Sequence, residues 1–100
     1  MANYLLSIVT PAGKIFEGEV SSLMAPGALG GFGVLSRHAP TVTALKKGVL
    51  KLTLSSGEKF LAIGRGVFEM NPQNKALILS DSAVEANNFQ DAQEKLKILD

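Results

Sequence analysis

Hydrophobic and polar residues alternate along most of this chain, and the dominant period is two. In VLKLTLSSGEKFLAI, Leu50, Leu52 and Leu54 alternate with Lys51, Thr53 and Ser55. Successive side chains of an extended chain point to opposite faces, so this segment predicts a half-buried strand. Ser56-Gly57 supplies a turn, and KFLAI (59–63) returns as the hairpin partner. The plan repeats in VFEM (67–70), a turn at NPQN (71–74) and ALIL (76–79). Upstream, NYLLSIVT and KIFEGEVSSLMA read as strands separated by Pro11-Ala12-Gly13, and Phe16, Val20 and Met24 are expected on one face of the second. Turn signals recur about every 8–12 residues, which predicts a mainly β sandwich or barrel rather than alternating β and α units.

The period changes at the C-terminal end. In NFQDAQEKLKILD, Phe89, Ala92, Leu96 and Leu99 follow one another at spacings of three, four and three, one stripe of a helix of about three turns. Asn88 is placed to cap its start. Asp91 lies early and Lys95 and Lys97 late, which suits the helix dipole. A helix this short is marginal alone, so its stripe is expected to lie on the sandwich or on a partner. Two parts follow: a β-sandwich over 1–86 and a C-terminal helix over 87–100.

Composition narrows the function. One hundred residues with 46% hydrophobic content make a single domain with a real core. Lys plus Arg total 10 against 9 Asp plus Glu, a net charge of +1, so no basic face for nucleic acid is expected. Without cysteine there is neither a disulfide framework nor a thiolate zinc site. The N-terminal MANYLLSIVTPAGK lacks the basic start of a signal peptide, and no stretch approaches the length of a membrane span.

Candidate chemistry is sparse. His38 is the only histidine, with no second His or Cys to share a metal and no carboxylate beside it in sequence, so no metal, no cofactor and no catalytic residue is expected. The run PGALGGFGVLSRHAP concentrates glycine at 27, 30, 31 and 33. The spacing does not fit a dinucleotide fingerprint, and FGVL continues as a strand rather than opening a helix. Glycine permits positive φ and close approach of another backbone. Two readings remain open for this loop: a tight hairpin with Phe32 tucked into the core, or a docking loop with apolar Ala28 and Leu29 at its tip.

The segment PGALGGFGVLSRHAPTVTALKKGVL resembles the signature of the ε subunit of F-type ATP synthases, the counterpart of mitochondrial δ. The likeness rests on the glycine loop, Phe32-Gly33-Val34-Leu35, His38-Ala39-Pro40, Leu45 and Gly48. TPAGKIFEGEV (10–20), AIGRGVFEM (62–70) and ALILSDSA (76–83) match as well, so it spans roughly residues 4–92. The resemblance implies a flattened β-sandwich of about ten strands followed by a short α-helix. It implies a non-catalytic subunit of the rotor, or central stalk, that joins the γ subunit to the membrane c-subunit ring and couples proton flow to ATP synthesis by the catalytic sector. The chain is then peripheral to the cytoplasmic face of the bacterial inner membrane. Gly27, Ala28, Leu29, Gly30, Gly31 and Phe32 fall on the part that meets the ring, and His38, Thr41 and Thr43 on the part that faces γ. The two sets are expected to form separate surfaces.

This sequence departs from the family pattern twice. Family loops often carry acidic side chains towards the ring, where this chain has Ala28, Leu29 and Gly31, which implies a more apolar contact. Many bacterial members also continue into two C-terminal helices that inhibit ATP hydrolysis, and some bind ATP through a helix start close to L/I-D-x-x-R-A. The stretch FQDAQEK places Gln93 at the arginine position. A regulatory nucleotide-sensing or inhibitory module is thus the alternative reading, and the chain as given is expected not to sense nucleotide.

Overall fold

The computed structural model describes residues 2–99. Ten strands precede the helical end: β1 (Tyr4–Thr10), β2 (Gly13–Val20), β3 (Ser22–Gly27), β4 (Gly30–Leu35), β5 (Thr41–Leu45), β6 (Gly48–Leu54), β7 (Gly57–Ile63), β8 (Gly66–Met70), β9 (Lys75–Ser80) and β10 (Ala83–Ala86). Helix α1 (Phe89–Lys95) runs directly into a single 3-10 turn, Leu96–Ile98. The three hairpins expected from turn residues are present, as β1–β2, β6–β7 and β8–β9. The mainly β class with a short terminal helix is the observed architecture.

The strands pair in the order β10-β7-β6-β3-β5-β8-β9-β1-β2, with β4 on β3. All pairings are antiparallel except β1 with β9. β3 is the corner of this sheet. Its first half pairs with β6 from Ser22 to Met24, and only its last residue, Gly27, pairs with β5, at Leu45. The sheet folds over there, so that β10-β7-β6-β3-β4 faces β5-β8-β9-β1-β2. Two contacts show the halves closing on each other. The hydroxyl of Tyr4 on β1 donates to the carbonyl of Val34 on β4 at 2.8 Å, and the ring of Phe32 on β4 meets that of Phe68 on β8.

The core follows from the alternation. Tyr4, Leu6 and Ile8 on β1, Leu50 and Leu52 on β6, and Phe68 and Met70 on β8 are buried in one cluster, while the residues between them reach the surface to varying degrees. β7 departs from alternation at its end, where Leu61, Ala62 and Ile63 are all buried. Burial of consecutive strand residues needs cover on both faces, and α1 packs against β6, β7 and β10.

One expectation is corrected here. Phe16, Val20 and Met24 do not share a face. KIFEGEVSSLMA is not one strand: Val20 ends β2, Ser21 lies between strands with its amide on the Thr53 carbonyl, and β3 starts afresh. The interruption reverses the parity, so Leu23 and Ala25 point inward and Met24 is left 50% exposed.

The helical end is shorter in its α part than the three turns expected, because the last turn tightens to 3-10. Asn88 caps it as predicted, accepting from the Asp91 amide at 2.7 Å. Of the stripe, Ala92 and Leu99 are buried, whereas Phe89 is exposed and lies edge-on to Phe60 with ring centroids 6.4 Å apart.

Candidate functional site

The glycine-rich segment forms a tight hairpin between β3 and β4. Gly27 and Gly30 are the closing pair, leaving Ala28 and Leu29 as the two-residue tip. Gly30 has φ +136°, a conformation that side chains with a Cβ rarely adopt. Gly27 is needed for a different reason: a Cβ there would lie 2.5 Å from the Gly30 carbonyl oxygen and 2.8 Å from the Phe32 ring. The ring of Phe32 is half-buried under this hairpin, at 5.7 Å from Phe68. Leu29, by contrast, is fully exposed at the tip. Phe32 thus anchors the hairpin in the core, while Leu29 projects from its tip.

His38 follows a turn whose geometry the sequence did not signal. Arg37 has φ +67°, in the left-handed region, as does Asn74 with φ +63°. These two residues meet. The Asn74 Oδ1 accepts from the Arg37 amide at 2.7 Å, and Asn74 Nδ2 donates to Ser36 Oγ at 3.1 Å and to the Asn3 carbonyl at 3.3 Å. The turn of β8–β9 thus clasps the segment before His38. The His38 imidazole is exposed, and its Nδ1 donates to the Ala39 carbonyl at 2.8 Å. Among the described residues no carboxylate, hydroxyl or second imidazole bonds it. Nor is there, among them, a cluster of three or more metal-ligating side chains.

The hairpin and the His38 segment come together. Gly27–Gly33 on one side and His38 with Thr41–Ala44 on the other line a single open groove of about 540 Å³. Its walls are β4 and β5, and the Ala28 amide at the hairpin tip donates to the Ala44 carbonyl at 2.9 Å. The residues expected on two separate surfaces border one opening, because β3 reaches β5 only at Gly27 and this corner brings the hairpin alongside β5. Val42, which sequence reasoning passed over, is 70% exposed between Thr41 and Thr43. Its place in the TVTAL alternation carried the signal, since Leu45 on the same chain is buried and Val42 falls on the opposite parity.

Charge plays little part in the groove, which contains no acidic side chain among its lining residues. The perturbed carboxylates lie elsewhere. A hydrogen bond from Lys14 and its charge hold Glu17 below its usual range. Asp91 is held low first by the Asn87 amide and then by Lys95. Burial pushes the Tyr4 phenol up. Each has a structural cause within the sandwich or the helix start, and none faces the groove.

The arrangement suits contact with another macromolecule rather than chemistry on a small molecule. The family model for "ATP synthase, Delta/Epsilon chain, beta-sandwich domain" matches residues 3–86. An ATP synthase epsilon chain of Chlorobaculum tepidum is 44% identical over 79 residues, 78% of this chain and 89% of that one. The chain belongs to the ATP synthase delta/epsilon family. The epsilon chain of Anaeromyxobacter sp. is 37% identical over 100 residues, covering 91% of this chain and 75% of that protein. Epsilon chains of Xanthomonas campestris are also 37% identical, and there the match spans 66% of the relative's length.

Solved structures repeat the fold. A chain of the Euglena gracilis mitochondrial ATP synthase, in a structure of its OSCP/F1/c-ring assembly, superposes with a TM-score of 0.79 at 24% identity over 85% of this chain and 54% of that one. A chain of the Tetrahymena thermophila mitochondrial enzyme, from its central stalk and c-ring, gives 0.71 at 14% identity over 83% and 66%. At these identities the likeness is one of fold. Among the described residues no helix is long and apolar enough to cross a membrane.

Proposed function

We propose that this chain is a non-catalytic rotor subunit of an F-type ATP synthase, joining the γ subunit to the c ring in the central stalk. In this reading it sits at the cytoplasmic face of a bacterial membrane and couples proton flow to synthesis in the catalytic sector. The observation that carries the proposal is the groove, in a chain of this family, where the exposed apolar tip and the Thr41–Thr43 strand meet at one place. Leu29 and Val42, both exposed on the same groove, cost hydration until something covers them. The tip at Ala28-Leu29 is assigned to the ring, and the wall of His38, Thr41 and Thr43 to γ.

The nucleotide-sensing alternative has weaker support. Gln90 fills the aspartate position of that pattern, and Asp91, one place further on, is already bonded by the Asn87 amide at 2.8 Å and Lys95 Nζ at 3.0 Å. Gln93 is uncharged where the ATP-binding pattern has arginine.

The test is reconstitution of the ATP synthase in vesicles with and without this chain, measuring ATP-driven proton pumping. Coupled pumping is expected only when the chain is added back, and Leu29→Asp is expected to reduce it at least fivefold by placing a charge in an apolar contact. Full pumping in the absence of the chain defeats the proposal.

A further inference from the structure

The net charge of +1 conceals an uneven distribution. Lys14, Lys51, Lys59, Lys95 and Lys97 each pair with a carboxylate, at 2.7 to 3.4 Å. Among the described residues Lys46, Lys47 and Arg65 enter no such pair, and all three are exposed. Sheet register brings them together. Leu45 pairs with Gly66 across β5 and β8, and Gly48 with Ile63 across β6 and β7. The dipeptides Lys46-Lys47 and Gly64-Arg65 therefore turn side by side at one end of the sandwich. Lys75 lies at the opposite end, where it and Glu19 pair with Leu5 from either side and their charges balance.

One carboxylate stands beside the basic loops. The Asp81 amide donates to the Arg65 carbonyl at 3.0 Å, and Asp81 Oδ1 accepts from the Ser82 hydroxyl at 3.2 Å. Three cations against one carboxylate leave this end positive. Exposed apolar side chains flank it on two sides. The Lys46 amide bonds the Pro26 carbonyl in the hairpin, whose tip residue Leu29 is fully exposed. Lys47 Nζ donates to the Leu99 carbonyl at 2.7 Å, and the preceding Ile98 is 71% exposed.

We propose that this end binds the surface of an anionic phospholipid bilayer, with Lys46, Lys47 and Arg65 among the headgroup phosphates and Ile98 against the upper acyl carbons. A bilayer offers both halves of the pattern at once, a plane of negative charge and an apolar layer just beneath it. Nucleic acid would find no aromatic side chain in these loops to stack on. Three basic residues supply a weak, reversible and salt-sensitive attraction, each raising partitioning about fivefold near an anionic surface. The rotor reading above enters only in the orientation. The tip assigned to the ring lies at this same end, so the basic loops meet headgroups beside the ring.

The test is co-sedimentation of the whole chain with vesicles, without γ or ring present. Vesicles of equal parts phosphatidylglycerol and phosphatidylcholine are expected to bind the chain at least tenfold more tightly than phosphatidylcholine alone, and the difference to vanish near about 0.5 M salt. Lys46→Gln and Arg65→Gln are each expected to lower binding about fivefold, with the melting temperature unchanged because both side chains are exposed. Lys75→Gln, the same loss of charge at the other end, is expected to leave binding unaltered. A lipid spin-labelled at its headgroup is expected to broaden the amide signals of 46–47 and 64–65 and to spare those of 73–75. Absence of binding, or equal binding to neutral and anionic vesicles, overturns the proposal. An equal loss in Lys75→Gln assigns the attraction to net charge and overturns it too. Heparin bound at the same residues as tightly as the vesicles would make this a polyanion site, and the membrane assignment falls. Vesicle binding and proton pumping are separate readouts, so this inference and the rotor reading can each fail alone.

Discussion

Phe32 and Phe68 meet edge to face across the interior, with ring centroids 5.7 Å apart and planes at 66°. The contact ties the glycine hairpin to the opposite half of the sheet, because Phe32 lies three residues past the tip and Phe68 is wholly buried on β8. Phe32→Ala removes that tie. We expect a loss of about 2–3 kcal/mol, the low end for an aromatic truncation because the Phe32 ring is only half-buried. Denaturant unfolding measures it, and a loss below about 0.5 kcal/mol would mean the hairpin is held by its backbone alone.

Tyr4→Phe is expected to cost about 1 kcal/mol near neutral pH, the worth of the hydrogen bond to the Val34 carbonyl. Its effect reverses in alkali. Burial raises the Tyr4 pKa in the folded chain, so the unfolded phenol ionises first, near pH 10. The contribution is complete below that pH and lost as pH rises towards the folded value. The wild type is therefore expected to lose stability from pH 10 to 11 more steeply than the Phe variant. Parallel slopes in urea titrations at the two pH values would contradict this.

Asn74→Ala removes the acceptor of the Arg37 amide and two donated bonds, and asks alanine to hold φ +63°. A cost of about 1–2 kcal/mol is expected. The more specific expectation is local: the Arg37 amide should exchange with solvent at least tenfold faster, because the segment before His38 is no longer clasped. An unchanged Arg37 exchange rate would show that the turn holds itself.

The strands were legible because their cause is local. Leu50 and Leu52 against Lys51 and Thr53, or Phe68 and Met70 against Glu69, declare an inner and an outer face within a few residues. Met24 misled because a single unpaired residue, Ser21, reverses parity, and nothing in the letters EVSSLM marks the break. The groove was not legible. Gly31 and Thr43 were each singled out, but their proximity depends on β3 pairing with β5 at Gly27, a fact of sheet order that turn residues do not encode. The clasp was hidden for a similar reason: NPQN reads as a turn, and its partner Arg37 is 37 residues away.

At the helical end, Leu99→Ala is expected to cost about 2 kcal/mol, since Leu99 is 8% exposed against the sandwich. Acid should act on the same element. The pKa of Asp91 is lowered by the Asn87 amide and Lys95, so its contribution is present above the unfolded value of about 3.9 and lost as pH falls through the folded one. Asp91→Asn is expected to flatten the acid limb of helical circular dichroism below about pH 4, leaving the dependence due to Glu17, which is lowered in the same direction by Lys14. An acid limb identical to wild type would remove Asp91 from the account.

The parallel pair of β1 and β9 joins Leu5 to Lys75 and Val9 to Leu79, the first strand of the chain to one of the last. On the ribosome this sets an order of events. The β1–β2 and β6–β7 hairpins close from neighbouring residues, but the half of the sheet that carries β1 waits for β9 to leave the exit tunnel. Until then the inner faces of Leu6 and Ile8 are uncovered on a chain still tethered, the interval in which slow non-local pairing exposes a nascent protein to aggregation.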